Sequence, residues 1–473
     1  MTIQSSSHTD SKNSMTNTSF NKQHSNNPRF MALQVLNRFD SELLPIDGII
    51  QEVCPETTLS DSSKDRSLFH AIVIGVLRWR YQIDWIIGRF SKIHVHQLDP
   101  EVLNILRIAI FQIEWMDRIP DSAAVHTAVE LTKSIDAPWI TRFVNGVLRS
   151  IIRERQKNAL TDFKKQTAKE IALKHAFPRW LVKKWIREFG IDQTEKKCIA
   201  HNAIPMICIR VNTLKTTQQD VFNCLMPIVS DIQTCKWAPH GIRFQKPSIP
   251  IPSMTSFQNG WFQVQDEASQ LAVLLLAPRP GNDVLDACAG RGGKTAYLAQ
   301  QMNNTGYIYA VDRSEKKLLL LSSEMERLGV SIVQTSQHAW EDNSSHIPQF
   351  HCIMVDAPCS GLGVIRRHPD IKWTRKLDDL QRHQANQLSI LSSVAPLLKP
   401  TGKMVYAVCS TEFEENEQVV HKFLSDHNDF FIDQALDNVP VAIKELIDEN
   451  GFLKTEPSEH HTDGFFAVRF QRR

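Results

Sequence analysis

Apolar residues recur at helical spacing through the first third of the chain. Hydrophobic side chains there return every three or four positions, which is typical of amphipathic helices. Asp99 followed by Pro100 is a typical helix start, because proline is tolerated in the first helical turn. The pattern predicts an all-helical bundle over residues 28–157. It is clearest in four segments, residues 30–36, 68–77, 102–111 and 125–131.

From residue 276 onward, short apolar runs alternate with helical segments. This alternation predicts a doubly wound parallel sheet with helices between its strands. A last apolar run, Phe465–Phe470, predicts an antiparallel strand at the edge of that sheet. We predict strands near 283–287, 306–311, 331–334, 351–355 and 403–408, and helices near 293–302, 314–328, 380–398 and 414–426.

The segment between these two regions, residues 158–275, has a mixed pattern. A strand-like run at 206–212 and a helical run at 216–225 predict a small α/β subdomain. Gln265, Asp266 and Glu267 either flank a cofactor pocket or cap a helix that begins at Ala268, and the pattern leaves both open. At the other end, residues 1–27 are rich in Ser, Asn and Thr, which predicts a disordered tail because so little apolar area can be buried.

Composition narrows the class of protein. Charged residues make 22% and hydrophobic residues 42% of the chain, which is typical of soluble globular proteins. No apolar run approaches the roughly 20 residues of a membrane-spanning helix, and the N-terminus lacks the apolar core of a secretion signal. Nine cysteines occur without CxxC pairs, which argues against a zinc site and a disulfide framework. We expect a cytoplasmic protein with free thiols.

The net charge of +2 hides a strongly basic stretch. Residues 142–187 contain 13 Lys or Arg and only 3 Asp or Glu, and concentrated positive charge is the usual footprint of a phosphate backbone. Arg142, Arg149 and Arg153 share one face of a predicted amphipathic helix. We therefore predict that these three arginines contact RNA. The alternative is an ordinary solvated helical face.

Two cysteines each stand just past the end of a predicted strand. Cys359 follows the apolar run 353–355, and Cys409 follows the run 403–408. Because ligands of open α/β sheets bind at the carboxyl ends of strands, both sulfurs are expected to face one crevice. Two thiols there indicate covalent chemistry on an electrophilic ring. The alternative is that both are buried apolar side chains, as most free cysteines are.

A glycine-rich turn after the strand at 283–287 is a candidate cofactor loop. It lacks the G-x-G-x-x-G pattern of nicotinamide and flavin sites and the full spacing of a triphosphate-binding loop. Asp312 ends the next strand, where a carboxylate accepts ribose hydroxyls in nucleoside-binding α/β folds, or caps the following helix. The candidate loop residues are Cys288, Ala289, Gly290, Arg291, Gly292, Gly293 and Lys294.

Asp356-Ala-Pro-Cys359-Ser-Gly, Tyr406-Ala-Val-Cys409-Ser-Thr and the glycine-rich loop resemble the S-adenosylmethionine-dependent RNA cytosine-C5 methyltransferases. From about residue 28 the chain is similar to the B type of bacterial 16S ribosomal RNA methyltransferases. Segments 64–68, 75–79 and 143–149 look like the NusB-type RNA-binding bundle. The resemblance implies a NusB-like domain at 28–157, a ferredoxin-like, RNA-contacting connector at 158–275 and a Rossmann-like methyltransferase domain at 276–473.

The resemblance also implies roles for individual residues. Cys409 is the implied nucleophile that adds to C6 of cytosine, and Cys359 the residue that helps to remove the C5 proton. Asp356 is implied to hold the N3/N4 edge of the base and to border the cofactor. Lys294 is close enough by sequence to lower the pKa of a thiol or to bind the base edge. The expected cofactor is S-adenosylmethionine, and the expected partner is 16S ribosomal RNA, free or in early small-subunit particles, with neither DNA nor membrane.

Two residues depart from the family pattern. Arg291 stands where the family usually has proline, and His338 stands where it usually has an acid that reads the adenine amino group. A neutral imidazole nitrogen can still accept one hydrogen bond, whereas Asp342 could replace the acid only if its loop shifts. These two residues leave open a non-catalytic RNA-binding or assembly protein with a decayed cofactor site. A separate alternative is the same chemistry on tRNA or 23S RNA.

The residues after Cys359 are too polar for a protein core. Arg366, Arg367 and Lys372 are predicted to hold phosphates or a flipped nucleotide, and Trp373 to offer a face for base stacking. An ordinary solvated loop is the alternative. A target base must leave its stack to reach thiols in a crevice, so unpaired or locally opened RNA is the expected substrate.

Overall fold

The computed structural model describes residues 27–55, 63–133, 135, 137–157, 167–340 and 347–473. The chain divides into two compact units. Residues up to 198 form the first unit together with 368–374, and residues 199–367 and 375–473 form the second. Apart from Asn27, the predicted tail at 1–27 lies outside the described residues, and so does Asp342.

The first unit is helical, as predicted. The helix start at Asp99 is confirmed, because its Oδ1 accepts the backbone N–H of Glu101 at 2.9 Å and that of Val102 at 3.4 Å. Within the described part of the chain, no helix is long and apolar enough to cross a bilayer. The helices are α1 (Pro28–Glu42), α2 (Ile46–Val53), α3 (Ser63–Phe90), α4 (Pro100–Trp115), α5 (Asp121–Thr132), α6 (Pro138–Arg155), α7 (Ala168–Lys174) and α8 (Arg179–Asn202), which is kinked at Gly190 and continues into the second unit.

Helices α3 and α4 are in close contact at Gly75. A Cβ atom at this position would overlap the ring of Phe111, so only glycine allows this helix contact. Phe69, Val73 and Ile105 are fully buried nearby in the same core. The apolar spacing seen in the sequence is therefore the buried stripe of each helix.

A short segment from the second half of the chain completes this helical core. Residues 368–374 include a one-turn helix, Ile371–Thr374. The carboxylate of Asp370 accepts the N–H of Ile46 at 3.3 Å, and the indole N–H of Trp373 donates to the carbonyl of Leu77 at 2.7 Å. The first unit thus needs chain that follows the Cys359 loop in sequence.

The second unit begins with a small antiparallel sheet in the order β2-β3-β1-β4. Its strand β1 and helix α9 confirm the predicted strand near 206–212 and the helix near 216–225. Thr217 and Asp220 cap α9 reciprocally, which fixes where that helix starts. The elements are β1 (Ile207–Val211), α9 (Gln218–Leu225), β2 (Ser230–Thr234), β3 (Gly241–Gln245), α10 (Thr255–Gln258) and β4 (Phe262–Val264).

The rest of this unit is an eight-stranded mixed sheet in the order β10-β12-β9-β8-β5-β6-β7, with β11 also pairing with β12. Its five central parallel strands and their helices follow the predicted alternation. The elements are α11 (Glu267–Leu276), β5 (Asp283–Asp286), α12 (Gly293–Gln301), β6 (Tyr307–Asp312), α13 (Glu315–Leu328), β7 (Val333–Gln337), β8 (Phe350–Asp356), α14 (Leu377–Val394), β9 (Leu398–Val408), α15 (Glu417–Asp426), β10 (Phe430–Ile432), α16 (Val441–Lys444), β11 (Phe452–Thr455), α17 (Pro457–His460) and β12 (Phe465–Arg472).

Both faces of the large sheet are covered by helices. Met354 packs with Leu298 of α12 on one face, whereas the next residue, Val355, packs with Leu391 of α14 and Phe423 of α15 on the other. Strand β5 lies between β6 and β8, so the chain reverses its direction of travel across the sheet at β5. Ligands of such sheets bind outside the strand ends at this reversal.

Strand β12 corrects one prediction. It is antiparallel to β9, as predicted, with Phe466 opposite Val408. It is not at the edge of the sheet, because β10 and β11 pair with its other side. These two strands have three and four residues, too few to show an apolar alternation in the sequence.

Candidate active site

The structure brings the two predicted thiols together. Strands β8 and β9 are parallel neighbours in which Asp356 lies opposite Ala407, so the residues that follow them emerge side by side. The sulfur atoms of Cys359 and Cys409 are 3.2 Å apart, and both residues are partly exposed. Two accessible thiols at one strand-end crevice are suited to act on the same bound group.

The surroundings of Cys359 favour its neutral form. Its hydrogen bond with Cys409, its burial and the charges of Cys409 and Glu415 raise the pKa of the Cys359 thiol well above its usual range. Cys359 is therefore suited to hold a proton.

The cation of Lys294 is paired with Asp356 and interacts electrostatically with Cys409. The amino group of Lys294 contacts the carboxylate of Asp356 at 2.6 Å. Burial alone would lower the pKa of Lys294, but Asp356 and Cys409 raise it above its usual value. Lys294 therefore stays charged and can stabilise a thiolate at Cys409.

The glycine-rich loop turns tightly between β5 and α12. Gly290 and Gly292 have φ angles of +57° and +84°, and a Cβ at Gly292 would lie 2.8 Å from Cγ of Leu321. The N–H of Gly290 donates to Oδ2 of Asp312 at 3.0 Å. Glycine is needed here both for backbone conformation and for close packing. Between these glycines, Arg291 is exposed and so does not fill the loop.

The predicted cofactor residues Cys288, Asp312 and His338 line one small cavity of about 120 Å³. The second oxygen of Asp312 accepts the N–H of Ser314 at 2.9 Å, so this carboxylate also caps the start of α13. Nε2 of His338 is buried and lacks a hydrogen-bond partner among the described residues. The cavity walls are formed by Ala287, Cys288, Asp312, Arg313, Lys317, His338, Ala339, Trp340, Pro358, Asn386 and Ile390.

Trp340 and Arg210 support this site and were not predicted from the sequence. Trp340 packs edge-on against the His338 ring and donates its indole N–H to the carbonyl of Ala287 at 2.7 Å. Arg210 of β1 is buried and donates to the carbonyl of Gly293 at 2.8 Å, which holds the cofactor loop from the small sheet. Neither contact leaves a sequence signal, because the partners lie 53 and 83 residues away.

The acidic pair before α11 has a structural role in this conformation. Asp266 caps the helix through the N–H of Ala268 at 2.9 Å. Glu267 is buried and accepts the N–H groups of Trp237 at 2.5 Å and Ala238 at 3.2 Å. Of the two readings left open by the sequence, the helix cap is the one the structure shows.

The structure corrects the prediction for the cations after Cys359. Arg366 is 6% exposed, and its guanidinium contacts Asp463 at 2.5 Å. Arg367 contacts Asp463 at 2.7 Å and Asp266 at 2.5 Å. Both guanidinium groups are thus occupied by carboxylates inside the second unit, and the prediction that they hold phosphates is wrong for this conformation.

Lys372 is buried as well, and Trp373 is half-buried. Lys372 is 2% exposed; its amino group donates to the carbonyls of Arg78 at 3.1 Å and Ala176 at 3.2 Å and lies 3.7 Å from the ring centre of Phe177. Burial lowers the pKa of Lys372 well below its usual value. Lys372 is therefore part of a protein core and does not offer its charge to RNA, whereas base stacking by the half-buried Trp373 stays a prediction.

The arginines of α6 lie at the surface. Arg142, Arg149 and Arg153 are all exposed, and the nearest contact of Arg149 is with Oδ1 of Asn145 at 3.1 Å. The first two border a groove of about 560 Å³ between α5 and α6. Their charges are available to a phosphate backbone, so RNA contact by these residues stays a prediction. The groove is lined by Asp121, Ser122, Val125, His126, Val129, Thr141, Arg142, Asn145, Arg149 and Ile152.

Family models match three parts of the chain. Residues 26–153 match the NusB family, and residues 177–251 match a ferredoxin-like domain described as RsmF/B-like. Residues 273–471, which carry the thiols and the cavity, match a model described as 16S rRNA methyltransferase RsmB/F. The fold and this match place the second unit's large sheet in the methyltransferase class.

Similarity extends over nearly the whole chain. A probable ribosomal RNA small subunit methyltransferase B of Bacillus subtilis is 34% identical over 94% of this chain and 98% of its own. A ribosomal RNA small subunit methyltransferase B of Pseudomonas syringae is 31% identical over 84% and 87%. The crystal structure of PH0851 covers 94% of this chain and 99% of its own, with a TM-score of 0.78 and 26% identity. The chain belongs to the RsmB/F family of 16S rRNA methyltransferases.

Proposed function

We propose that this protein transfers a methyl group from S-adenosylmethionine to C5 of a specific cytosine in 16S ribosomal RNA. The observation that carries the proposal is the pair of sulfur atoms 3.2 Å apart at the ends of parallel strands β8 and β9. The Lys294–Asp356 ion pair at 2.6 Å lies at the end of the same strand β8. The ribosomal substrate is taken from the names of the relatives.

A thiol nucleophile makes methylation of cytosine at C5 possible. C5 of cytosine belongs to an aromatic ring and is a poor nucleophile. When the Cys409 thiolate forms a bond to C6, an electron pair moves to C5, which can then take up an electrophilic methyl group. Lys294 favours the thiolate before attack, and Asp356 can bind the base edge as charge develops on the ring.

Release requires loss of the C5 proton and of the Cys409–C6 bond. A base removes the proton, the electron pair re-forms the C5–C6 double bond, and Cys409 leaves as a thiolate. We assign help with proton removal to Cys359. Its raised pKa depends first on Cys409. Once the Cys409 sulfur is bonded to carbon, that hydrogen bond and charge are gone, and Cys359 becomes easier to ionise when a base is required.

The cavity beside the thiols fits the nucleoside part of the cofactor. Asp312 is positioned to accept ribose hydroxyls, and the buried Nε2 of His338 provides one polar atom for the adenine edge. Cys288, the backbone of Ala289–Gly293, Lys294 and Asp356 would border the remainder. When bound, the cofactor supplies an electrophilic methyl group. Because Arg291 is exposed, its replacement of the usual proline does not close this loop.

Separate alanine variants of the two thiols test the mechanism. We expect Cys409→Ala to abolish methylation and every covalent complex with RNA. Cys359→Ala should still attack the base but stall at elimination, leaving enzyme attached to RNA on a denaturing gel. Trapping by Cys409→Ala instead would reverse the two roles. Full activity of both variants would refute the covalent mechanism.

His338 leaves a second candidate function, an assembly protein with a decayed cofactor site. Calorimetric measurement of S-adenosylmethionine binding distinguishes it from an active enzyme. Asp312→Ala should remove most binding of S-adenosylmethionine. His338→Asp should tighten it, because a carboxylate accepts a hydrogen bond from the adenine amino group more strongly than an imidazole. No binding by the unaltered protein would favour the assembly role.

A further inference from the structure

A buried carboxylate joins the two loops that carry the thiols. Glu415 is fully buried. One of its oxygens accepts the backbone N–H of Ser360 at 2.8 Å and the amide of Gln387 at 3.1 Å. The other accepts the hydroxyls of Ser360 at 2.5 Å and Ser410 at 2.6 Å. Three of these four hydrogen bonds come from the residues that directly follow Cys359 and Cys409.

Further contacts hold Glu415 itself in place. The hydroxyl of Tyr406, near the end of β9, donates to the backbone carbonyl of Glu415 at 2.6 Å. The side-chain amide of Asn416 donates to the carbonyl of Ser410 at 3.3 Å. The two serine hydroxyls are 3.4 Å apart. The carboxylate is therefore a fixed point between the ends of β8 and β9.

The Glu415 carboxylate is buried among neutral groups. Among the described residues, Glu415 forms no ion pair, and its hydrogen-bond donors are an amide, a backbone N–H and two hydroxyls. Burying a carboxylate without a cation costs free energy that hydrogen bonds only offset. An apolar side chain would fill the same space at lower cost, but it could not accept hydrogen bonds from two separate loops.

We propose that Glu415 is a positioning residue that ties the loop after β8 to the loop after β9 and so sets the separation of the Cys359 and Cys409 sulfurs. The tie is a feature of the fold, whereas its catalytic meaning rests on the proposed function. In the same catalytic cycle Cys409 must reach C6 of the base and Cys359 must reach the proton on C5. Loss of the tie is therefore expected to lower turnover, because small displacements of reacting groups are costly.

The position of Glu415 also gives the two thiols different surroundings. After Cys409 and burial, the negative charge of Glu415 is a further cause of the raised pKa of Cys359. On the other side, the cation of Lys294 interacts with Cys409. The carboxylate thus helps to keep the Cys359 thiol protonated.

The rate of oxidative cross-linking between Cys359 and Cys409 tests this positioning role without RNA or cofactor. Diamide takes two hydrogen atoms from a pair of thiols, is itself reduced to the hydrazine, and leaves a disulfide. We expect the unaltered protein to form the Cys359–Cys409 bond readily, as measured by mass spectrometry of the linked peptides. Glu415→Ala should form it at least ten-fold more slowly, and its methyl-transfer kcat should fall about 100-fold with little change in KM for RNA.

Two further variants separate positioning from general stability. Glu267→Ala removes another buried carboxylate of the same unit that accepts backbone N–H groups, and it should cross-link at the normal rate. Glu415→Gln should stay within about three-fold of normal, because one oxygen still accepts and both serine hydroxyls can rotate to accept from the amide.

A folded Glu415→Ala variant that cross-links at the normal rate would overturn the proposal. If Glu415→Ala does not fold, Ser410→Ala decides: a slower cross-link supports the tie, and an unchanged rate overturns it. Because cross-linking involves no methyl transfer, a failure of the covalent-trapping experiment would overturn the proposed reaction while leaving this result to stand by itself.

Discussion

The sequence predicts RNA contact for two groups of cations. In the structure one group is exposed and the other is largely buried. Arg142, Arg149 and Arg153 are exposed on α6. Arg366 and Lys372, which follow the Cys359 loop, are 6% and 2% exposed. Positive charge density therefore indicates nucleic-acid contact only when the charges also reach solvent.

The difference arises from partners that are distant in sequence. Asp463 pairs with Arg366 across 97 positions, and Asp266 pairs with Arg367 across 101. Along α6 the apolar positions recur at helical spacing, so the helix has one buried face and its arginines must lie on the other. After Cys359 no such periodicity exists, and nothing local shows where the charges point.

The largest expected effect concerns the buried cations. Asp463→Ala removes the main carboxylate partner of Arg366 and one partner of Arg367, so the free energy of unfolding should fall by about 3–5 kcal/mol. Urea denaturation measures this loss. Arg149→Ala is the matched control and should change stability by less than about 0.5 kcal/mol. Equal stability of both variants would show that the Asp463 cluster is weak.

Lys372 should make the free energy of unfolding depend on pH. Its pKa is lowered in the folded protein, so between that pKa and the unfolded value of about 10.4 the unfolded chain binds the additional proton. Stability should therefore rise with pH through this window, by at most about 1.4 kcal/mol per pH unit. The rise should be absent in Lys372→Met. Parallel pH profiles of the two proteins would mean that the amino group is solvated.

The exposed arginines should affect RNA binding without affecting the fold. In plots of log affinity against log salt, each lost phosphate contact should reduce the slope by about 0.7 for single-stranded RNA. Arg149→Ala combined with Arg153→Ala should therefore flatten the slope by about 1.4 if both contact phosphate. An unchanged slope and affinity would leave α6 as a solvated helical face.

Sequence patterns predicted most of the fold and part of the site. Apolar periodicity located the bundle and the parallel strands, since both depend on local spacing. It also led to Cys359, Cys409 and Asp312, because each lies at or just past the end of a strand, whereas His338 came from the family resemblance. Glu415 was missed because its role depends on loops that meet only after folding. The domain boundaries at 157 and 275 stay predictions.

The smallest effect is expected for Arg155, at the end of α6. It is paired with a carboxylate: its guanidinium contacts Asp121 at 2.7 Å and also donates to the carbonyl of Ile113. The pair is partly exposed, so Arg155→Ala should cost at most about 1 kcal/mol of unfolding free energy. The salt slope of RNA binding should not change, because this charge is already neutralised. A flattened slope would mean that Arg155 leaves Asp121 to bind phosphate, and that even a paired arginine on α6 takes part in RNA contact.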